Sequence, residues 1–319
     1  MKDHLRIVFM GTPAFAVGIL EALTHSKHEV VGVVTVADKP AGRGQQVQQS
    51  AVKQFALERN LPVLQPEKLK DEDFLKRLSA FKADLFIVVA FRMLPDVVWK
   101  MPPLGTINLH ASLLPKYRGA APINWAIMNG ETETGVSTFF INEKIDAGAI
   151  IAQKTTSISA EQTAGELHDE LMRLGATLTV ETAHQICSGS VQTMVQDLAD
   201  MSVPFAPKIF KADCEIDWNK DALTNHNCIR GLSPYPAAWC KLWSQKKEKW
   251  ISFKLFESSV LILKDPLRYD GPFAVSEGII FPSGNGCVLI KEIQAEGKKR
   301  MDFTAFLAGN DLLDLYFTI

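Results

Sequence analysis

The sequence predicts an α/β protein: a doubly wound, mostly parallel sheet, followed by a second and smaller domain built as a β-barrel. Three observations carry this. In the first 188 residues, short apolar runs alternate with helix-like segments, the pattern of a parallel sheet wound with helices. A polar stretch then leads through Val203-Pro-Phe-Ala-Pro-Lys208 and reads as a linker. Beyond it, short alternating runs are separated by turn signals at Gly271-Pro272 and Ser283-Gly-Asn-Gly286, as in a small five-stranded barrel. The expected boundaries are a first domain over residues 1–188, a linker over 189–208 and a barrel domain over 209–319.

The elements follow in order. Leu5 to Met10 is a strand ending at Gly11. Thr12 can cap the next helix, and Pro13 suits a first turn that needs no N–H. Further buried strands are expected over 30–36, 85–90 and 106–110, with another over 136–141. Helices are expected over 51–59, 71–80, 121–129 and 163–188. In the second domain a helix is expected around 219–230, then strands over 238–243, 250–257, 278–281 and 286–293.

Composition excludes several classes. The 319 residues are 47% hydrophobic and 22% charged, enough apolar material for two cores. The longest apolar run, Leu85 to Phe91, is far short of the roughly 20 residues that span a bilayer. The amino-terminal apolar run, Ile7 to Met10, is too short for a signal-peptide core of about 7–15 residues. Five cysteines with no Cys-x-x-Cys pair read as reduced thiols of a cytoplasmic protein, with neither a disulfide frame nor a metal site. The formal charge of −2 gives no global pull on nucleic acid. Residues 1–207 carry 19 basic and 22 acidic side chains, and the remainder 15 and 14. Basic clusters at Lys246, Lys247 and Lys249 and at Lys298, Lys299 and Arg300 suit solvated hairpin tips. The first strand–helix turn, Gly11 to Gly18, lacks the Gly-x-Gly-x-x-Gly spacing of a dinucleotide cradle, and no Walker pattern occurs elsewhere.

Chemistry is concentrated in Thr106-Ile-Asn-Leu-His-Ala-Ser-Leu-Leu-Pro115. Alternation along a strand turns Asn108 and His110 to one face and Ile107, Leu109 and Ala111 to the other. An amide there can donate to a developing oxyanion, and an imidazole can carry a proton near neutral pH. Three other segments join it: Tyr117-Arg-Gly-Ala-Ala-Pro122, Glu143-Lys-Ile-Asp-Ala-Gly148 and the loop Ala37 to Gln45, which contains Gly42-Arg43-Gly44. Loops leaving the carboxyl ends of a parallel sheet share one crevice, so Asp146 is expected beside His110 despite 36 residues of separation. A carboxylate there orients the imidazole.

Taken together, these segments resemble the methionyl-tRNA formyltransferase family of the folate-dependent formyltransferase superfamily. The match extends to Ile216-Asp-Trp218 and to the run from Cys228 to Trp239. The resemblance implies a Rossmann-like formyltransferase sheet and an OB-like carboxy-terminal domain that contacts tRNA. It also implies transfer of a formyl group from 10-formyltetrahydrofolate to the α-amine of methionyl-tRNA, for translation initiation. By position, Asn108, His110 and Asp146 are then the catalytic trio, stabilising a tetrahedral intermediate. Ser112, Leu113, Leu114 and Pro115 match the folate-binding segment, and Arg43 and Arg118 become candidates for tRNA contact. No metal is implied, and a monomer is expected.

The chain departs from the commonest family form twice. Ala90-Phe-Arg-Met-Leu-Pro95 is one residue shorter than usual, and Asp146-Ala-Gly148 stands where Asp-Thr-Gly is more common. The catalytic strand alone also fits a formyltransferase acting on glycinamide ribonucleotide or an amino-sugar nucleotide, or a hydrolase releasing formate. A non-catalytic RNA-binding module that kept the fold is a further alternative. The Gly-Arg-Gly loop and the second domain favour tRNA, because a small ribonucleotide needs no extra barrel.

Overall fold

In the computed structural model, residues 3–41, 46–200, 202–262 and 270–317 are described. The chain divides into two compact units: residues 1–119, 134–156 and 168–205, and residues 120–133, 157–167 and 206–319.

The first unit is organised around a seven-stranded sheet. Its strands are β1 (Arg6–Gly11), β2 (Glu29–Val34), β3 (Val63–Leu64), β4 (Leu85–Val89), β5 (Thr106–His110), β6 (Glu133–Phe140) and β7 (Ile150–Ser157). They lie in the order β7-β6-β5-β4-β1-β2-β3. The pairs β3–β2, β2–β1, β1–β4 and β4–β5 are parallel, and β5–β6 is antiparallel. The sheet is therefore mostly parallel and doubly wound, as the apolar runs predict. Central strands are closed to water, with Ile7, Val8, Phe9, Ile87 and Val89 each at most 1% exposed. Such burial on both faces makes them read as continuous apolar runs.

Helices α1 (Ala14–Thr24), α2 (Ala51–Glu58), α3 (Glu72–Ala80) and α4 (Asp96–Trp99) lie between these strands in sequence; α5 (Pro122–Met128) belongs to the second unit, and α6 (Ala164–Ser188) begins in residues of the second unit and continues in the first. Where the sequence offers a side-chain cap it is used: Ser50 accepts from the Lys53 N–H, and Asp71 from the Phe74 N–H. Thr163 and Glu166 form a reciprocal capping box at the start of α6. The expected Thr12 cap does not form. Extended Pro13 is itself the N-cap residue of α1, without a side-chain hydrogen bond, and its carbonyl takes the Ala16 N–H. Thr12 is thus one residue too early. In α6, Gly175 lets the helix sit on β5, since a Cβ there would lie 2.6 Å from Leu109. None of these helices is long and apolar enough to cross a membrane, among the described residues.

Beside this sheet His28 is 5% exposed, its Nδ1 accepting the Leu5 N–H at 3.1 Å, its ring 4.7 Å from that of His184. Burial, then the His184 charge, lowers its pKa from 6.5 to about 4. The unfolded chain takes a proton near pH 6.5 and the folded one only near 4. Stability is therefore expected to decline as pH falls through that window. A thermal-unfolding series from pH 7 to 4 checks this, with His28→Asn losing Tm less steeply than the wild-type chain.

The second unit holds α7 (Ala222–Leu232), α8 (Phe303–Gly309) and strands β8 (Ala238–Ser244), β9 (Lys249–Ile262), β10 (Phe273–Val275), β11 (Gly278–Ser283), β12 (Gly286–Ala295), β13 (Met301–Asp302) and β14 (Leu315–Tyr316). The order is β10-β11-β12-β9-β8-β14, with β13 on β12. Its pairings are antiparallel. The long β9 pairs with β8 over one half and β12 over the other, and its register shifts twice between Leu255 and Ser258. Bulges of this kind bend a strand, and the sheet curls into an OB-like half-barrel. Phe253, Leu255, Phe281, Ile290 and Phe306 fill its concave side. The expected basic clusters are partly neutralised: Lys246 pairs with Asp311, and Arg300 with Glu292.

Candidate active site

The site is built at the carboxyl end of β5. Ile107 and Leu109 are 0% and 3% exposed on the face packed by α6, which leaves Asn108 and His110 on the other. Asn108 is half-buried, and its amide has no hydrogen-bond partner among the described residues. His110 is 6% exposed and held on both sides. Its Nε2 lies 2.8 Å from the Tyr117 carbonyl oxygen, which can only accept, so Nε2 carries the proton. Its Nδ1 is therefore the nitrogen that can gain or lose one, and it lies 3.8 Å from Asp146 Oδ2. That separation exceeds a hydrogen bond and places a carboxylate where it stabilises an imidazolium.

Asp146 reaches this position from the turn between β6 and β7. Its backbone is left-handed, at φ 49°, a region that disfavours side chains with a Cβ. The turn is fixed by several bonds. Asp146 Oδ2 accepts the Gly119 N–H at 3.0 Å, and Phe140 N–H donates to the Ala149 carbonyl. Lys144 N–H donates to Asn142 Oδ1. Gly148 is sterically required, because a Cβ there would lie 1.6 Å from the Phe140 carbonyl oxygen. The alanine at 147 is 9% exposed and packs inward.

An unpaired amide, an imidazole with one free nitrogen and a carboxylate can together hold an oxyanion and move a proton at an attacked carbonyl. Comparison with known proteins decides which carbonyl chemistry this is. Residues 5–183 match the family model described as Formyl transferase, and residues 208–311 match its C-terminal domain. The chain is 52% identical over 309 residues to a methionyl-tRNA formyltransferase of Flavobacterium johnsoniae, covering 96% of each. It is 50% identical to that of Bacteroides thetaiotaomicron, covering 99% of this chain and 98% of the relative. The chain belongs to the methionyl-tRNA formyltransferase family. Solved structures agree on the fold. HypX from Aquifex aeolicus, in complex with tetrahydrofolic acid, superposes with a TM-score of 0.65 at 19% identity, over 96% of this chain and 47% of that one. An N-formyltransferase from Helicobacter canadensis, solved with folinic acid and dTDP-3-aminofucose, gives 0.63 at 19%, over 93% and 100%.

The remaining expected residues of this formyltransferase fall in distinct places. Ser112 is fully buried and donates to the Lys116 carbonyl at 2.6 Å, so its hydroxyl shapes the loop. Leu114 is buried against Phe139 and Ile150, and its N–H is taken by Ser137 Oγ. Leu113 and Pro115 are half-buried and keep surface to offer a ligand. Arg118 is only 8% exposed; its guanidinium lies 4.7 Å from the Phe205 ring, and its Nε has no partner among the described residues. Arg43 lies outside the described residues. In the turn after β4, Ala90 is left-handed and Arg92 donates to the carbonyls of Pro66 and Glu67, so the turn is tied to the loop after β3. Among the described residues no group of three or more His, Cys, Asp or Glu is placed to hold a metal ion.

Two parts of the site escape sequence reasoning. Tyr117 and Gly119 act through backbone carbonyl and N–H, which carry no side-chain signal. Gln196, from the polar stretch after α6, donates from Nε2 to the carbonyls of Asp146 and Gly148 at 3.0 and 2.8 Å.

Proposed function

We propose that this chain transfers the formyl group of 10-formyltetrahydrofolate to the α-amine of methionyl-tRNA, giving N-formylmethionyl-tRNA for translation initiation, with Asn108, His110 and Asp146 as the catalytic trio. The observation that supports the trio is the approach of His110 Nδ1 to Asp146 Oδ2 beside the unpaired Asn108 amide. The acceptor follows from the 46–52% identity to methionyl-tRNA formyltransferases over nearly the whole chain.

The folate supplies an activated formyl carbonyl when bound, and the half-buried Leu113 and Pro115 suit its apolar parts. Asn108 donates to the carbonyl oxygen as negative charge builds there. His110 takes the proton released by the attacking amine at Nδ1, since Nε2 is committed to Tyr117, and returns it to the folate N10 as the tetrahedral intermediate collapses, the formyl C–N10 bond breaks and tetrahydrofolate leaves. Asp146 balances the resulting imidazolium charge across 3.8 Å. The Tyr117 carbonyl and the Gly119 N–H fix the ring and the carboxylate, so little reorganisation accompanies charge formation.

Arg118 and Arg43 are assigned to the tRNA, and the 209–319 segment to its body. Among the described residues the buried guanidinium has an aromatic face beside it and no carboxylate partner, and a phosphate of the acceptor end would supply the anion. Arg118→Met is expected to raise KM for methionyl-tRNA about tenfold and to leave KM for the folate within about twofold, as read from initial rates; about tenfold is the 1.4 kcal/mol of one charge-assisted contact. The proposed setting is the cytoplasm, which suits five free cysteines.

The deciding assay supplies 10-formyltetrahydrofolate with methionyl-tRNA, with glycinamide ribonucleotide or with buffer alone, and follows acceptor formylation and free formate. Formylation of methionyl-tRNA alone is expected. Preferential formylation of the ribonucleotide, or equal formate release in all three, overturns the reading.

A further inference from the structure

The geometry points to Gln196 as a positioning residue for Asp146, an inference that rests on the reading of Asp146 as the partner of His110. Gln196 lies in the stretch after α6, where sequence shows only a polar connection. It is nevertheless 5% exposed and chemically committed. One nitrogen, Nε2, donates to the carbonyl of Asp146 at 3.0 Å and to the carbonyl of Gly148 at 2.8 Å. Those carbonyls flank Ala147, so a single amide group spans the left-handed turn that presents the carboxylate.

Two further facts argue that the donation is the purpose of the residue. The Gln196 Oε1 is buried with no partner among the described residues. An amide kept in the interior with half of its polar groups unsatisfied is retained for its other half. The strand-like contact two residues earlier is also aimed at this turn: Met194 and Ile150 exchange both backbone hydrogen bonds at 2.8 Å. The 194–196 segment is thereby locked to the chain immediately after Gly148.

The carboxylate is consequently held from two directions. Gly119 N–H bonds its side chain, and Gln196 bonds its backbone. Asp146 occupies φ 49°, and release of that backbone would let it relax toward the ordinary right-handed or extended regions. The carboxylate would then swing away from Nδ1 while the strand carrying Asn108 and His110 stayed in place. Gln196 touches no reacting atom, so its removal should act only through Asp146.

A double-mutant cycle tests this. Gln196→Met keeps the length and removes the donor, Gln196→Ala removes the side chain, and Asp146→Asn supplies the second edge. Gln196→Met and Gln196→Ala are each expected to lower kcat for methionyl-tRNA formylation 10- to 100-fold, with KM for 10-formyltetrahydrofolate changed less than threefold. In the Asp146→Asn background the same substitutions should lower kcat less than threefold further, because the group they position is already disabled. The inference is overturned if the losses multiply in the double variants, or if KM rises as kcat holds. It is also overturned if Gln196→Met retains wild-type kcat while Asp146→Asn does not, a result that leaves the role of Asp146 intact. Wild-type kcat in Asp146→Asn itself removes the underlying reading, and this inference with it.

Discussion

Replacing His110 by alanine is expected to lower kcat for methionyl-tRNA formylation about 1,000-fold, with KM for 10-formyltetrahydrofolate within about threefold. General acid–base groups typically contribute 10²–10⁴-fold, and His110 is placed for the middle of that range. Its ring has one nitrogen tied to the Tyr117 carbonyl and the other turned to Asp146, so the free nitrogen has a single orientation and a charge partner. Alanine removes the proton carrier and the partner of Asp146 together. The loss should therefore exceed that of Asp146→Asn, which leaves the imidazole in place. Single-turnover formylation, with acceptor and folate both saturating, isolates the chemical step from product release. Turnover near that of the wild-type chain would remove His110 from the mechanism.

Asn108→Ala should lower kcat 100- to 1,000-fold, the loss expected when one oxyanion donor is deleted, or about 2.7–4 kcal/mol of barrier. The same substitution should scarcely alter stability. The amide has no partner among the described residues, so its deletion strands no buried group, and a half-buried polar truncation of this kind shifts stability by about 0.5 kcal/mol or less. Asn108 is thus a site where activity and folding separate. Asn108→Asp is the matching control: it keeps the volume, replaces donors by an anion where negative charge must develop, and should be the poorer enzyme of the two. Thermal unfolding alongside single-turnover rates checks both statements. A fall in Tm that tracks the loss of rate would mark Asn108 as structural.

How much of this was readable beforehand differs from element to element. The strand over 106–110 was legible because two-residue alternation puts Ile107 and Leu109 on a packed face and leaves Asn108 and His110 on the other. Asp146 does meet His110, but not by the shared rim of a parallel sheet: β6 runs antiparallel to β5, with Phe140 opposite Ile107, so the turn after β6 must run back toward the carboxyl end of β5 to reach the imidazole. The left-handed backbone of Asp146 and the close fit of Gly148 against the Phe140 carbonyl were not legible, because both exist only in the folded turn. Gln196 was hidden for a related reason. A buried side chain in an aperiodic stretch carries no pattern, and its partners are backbone atoms that every residue possesses. The burial of Arg118 against Phe205 was not legible either, because that ring lies far along the chain and local sequence gives no sign of the contact. The small antiparallel barrel domain was legible from short alternating strands between turn signals, whereas the two register shifts between Leu255 and Ser258 were not, because they exist only in the strand pairing.

The interleaving of the two compact units has a practical meaning for anyone who would dissect this chain. The first family model ends at residue 183 and the second begins at 208, which invites a cut between them. A fragment stopping at 188 would discard Met194, Gln196 and Pro204, whose bonds to Ile150, Asp146 and Tyr117 belong to the catalytic half. A fragment starting at 206 would lose residues 120–133 and 157–167, including the Asn124 that donates to Gly231 and the Ser159 and Gln162 carbonyls that receive Arg230. No single scission yields both halves intact, so a fragment meant to fold alone must carry the crossing segments of its own half.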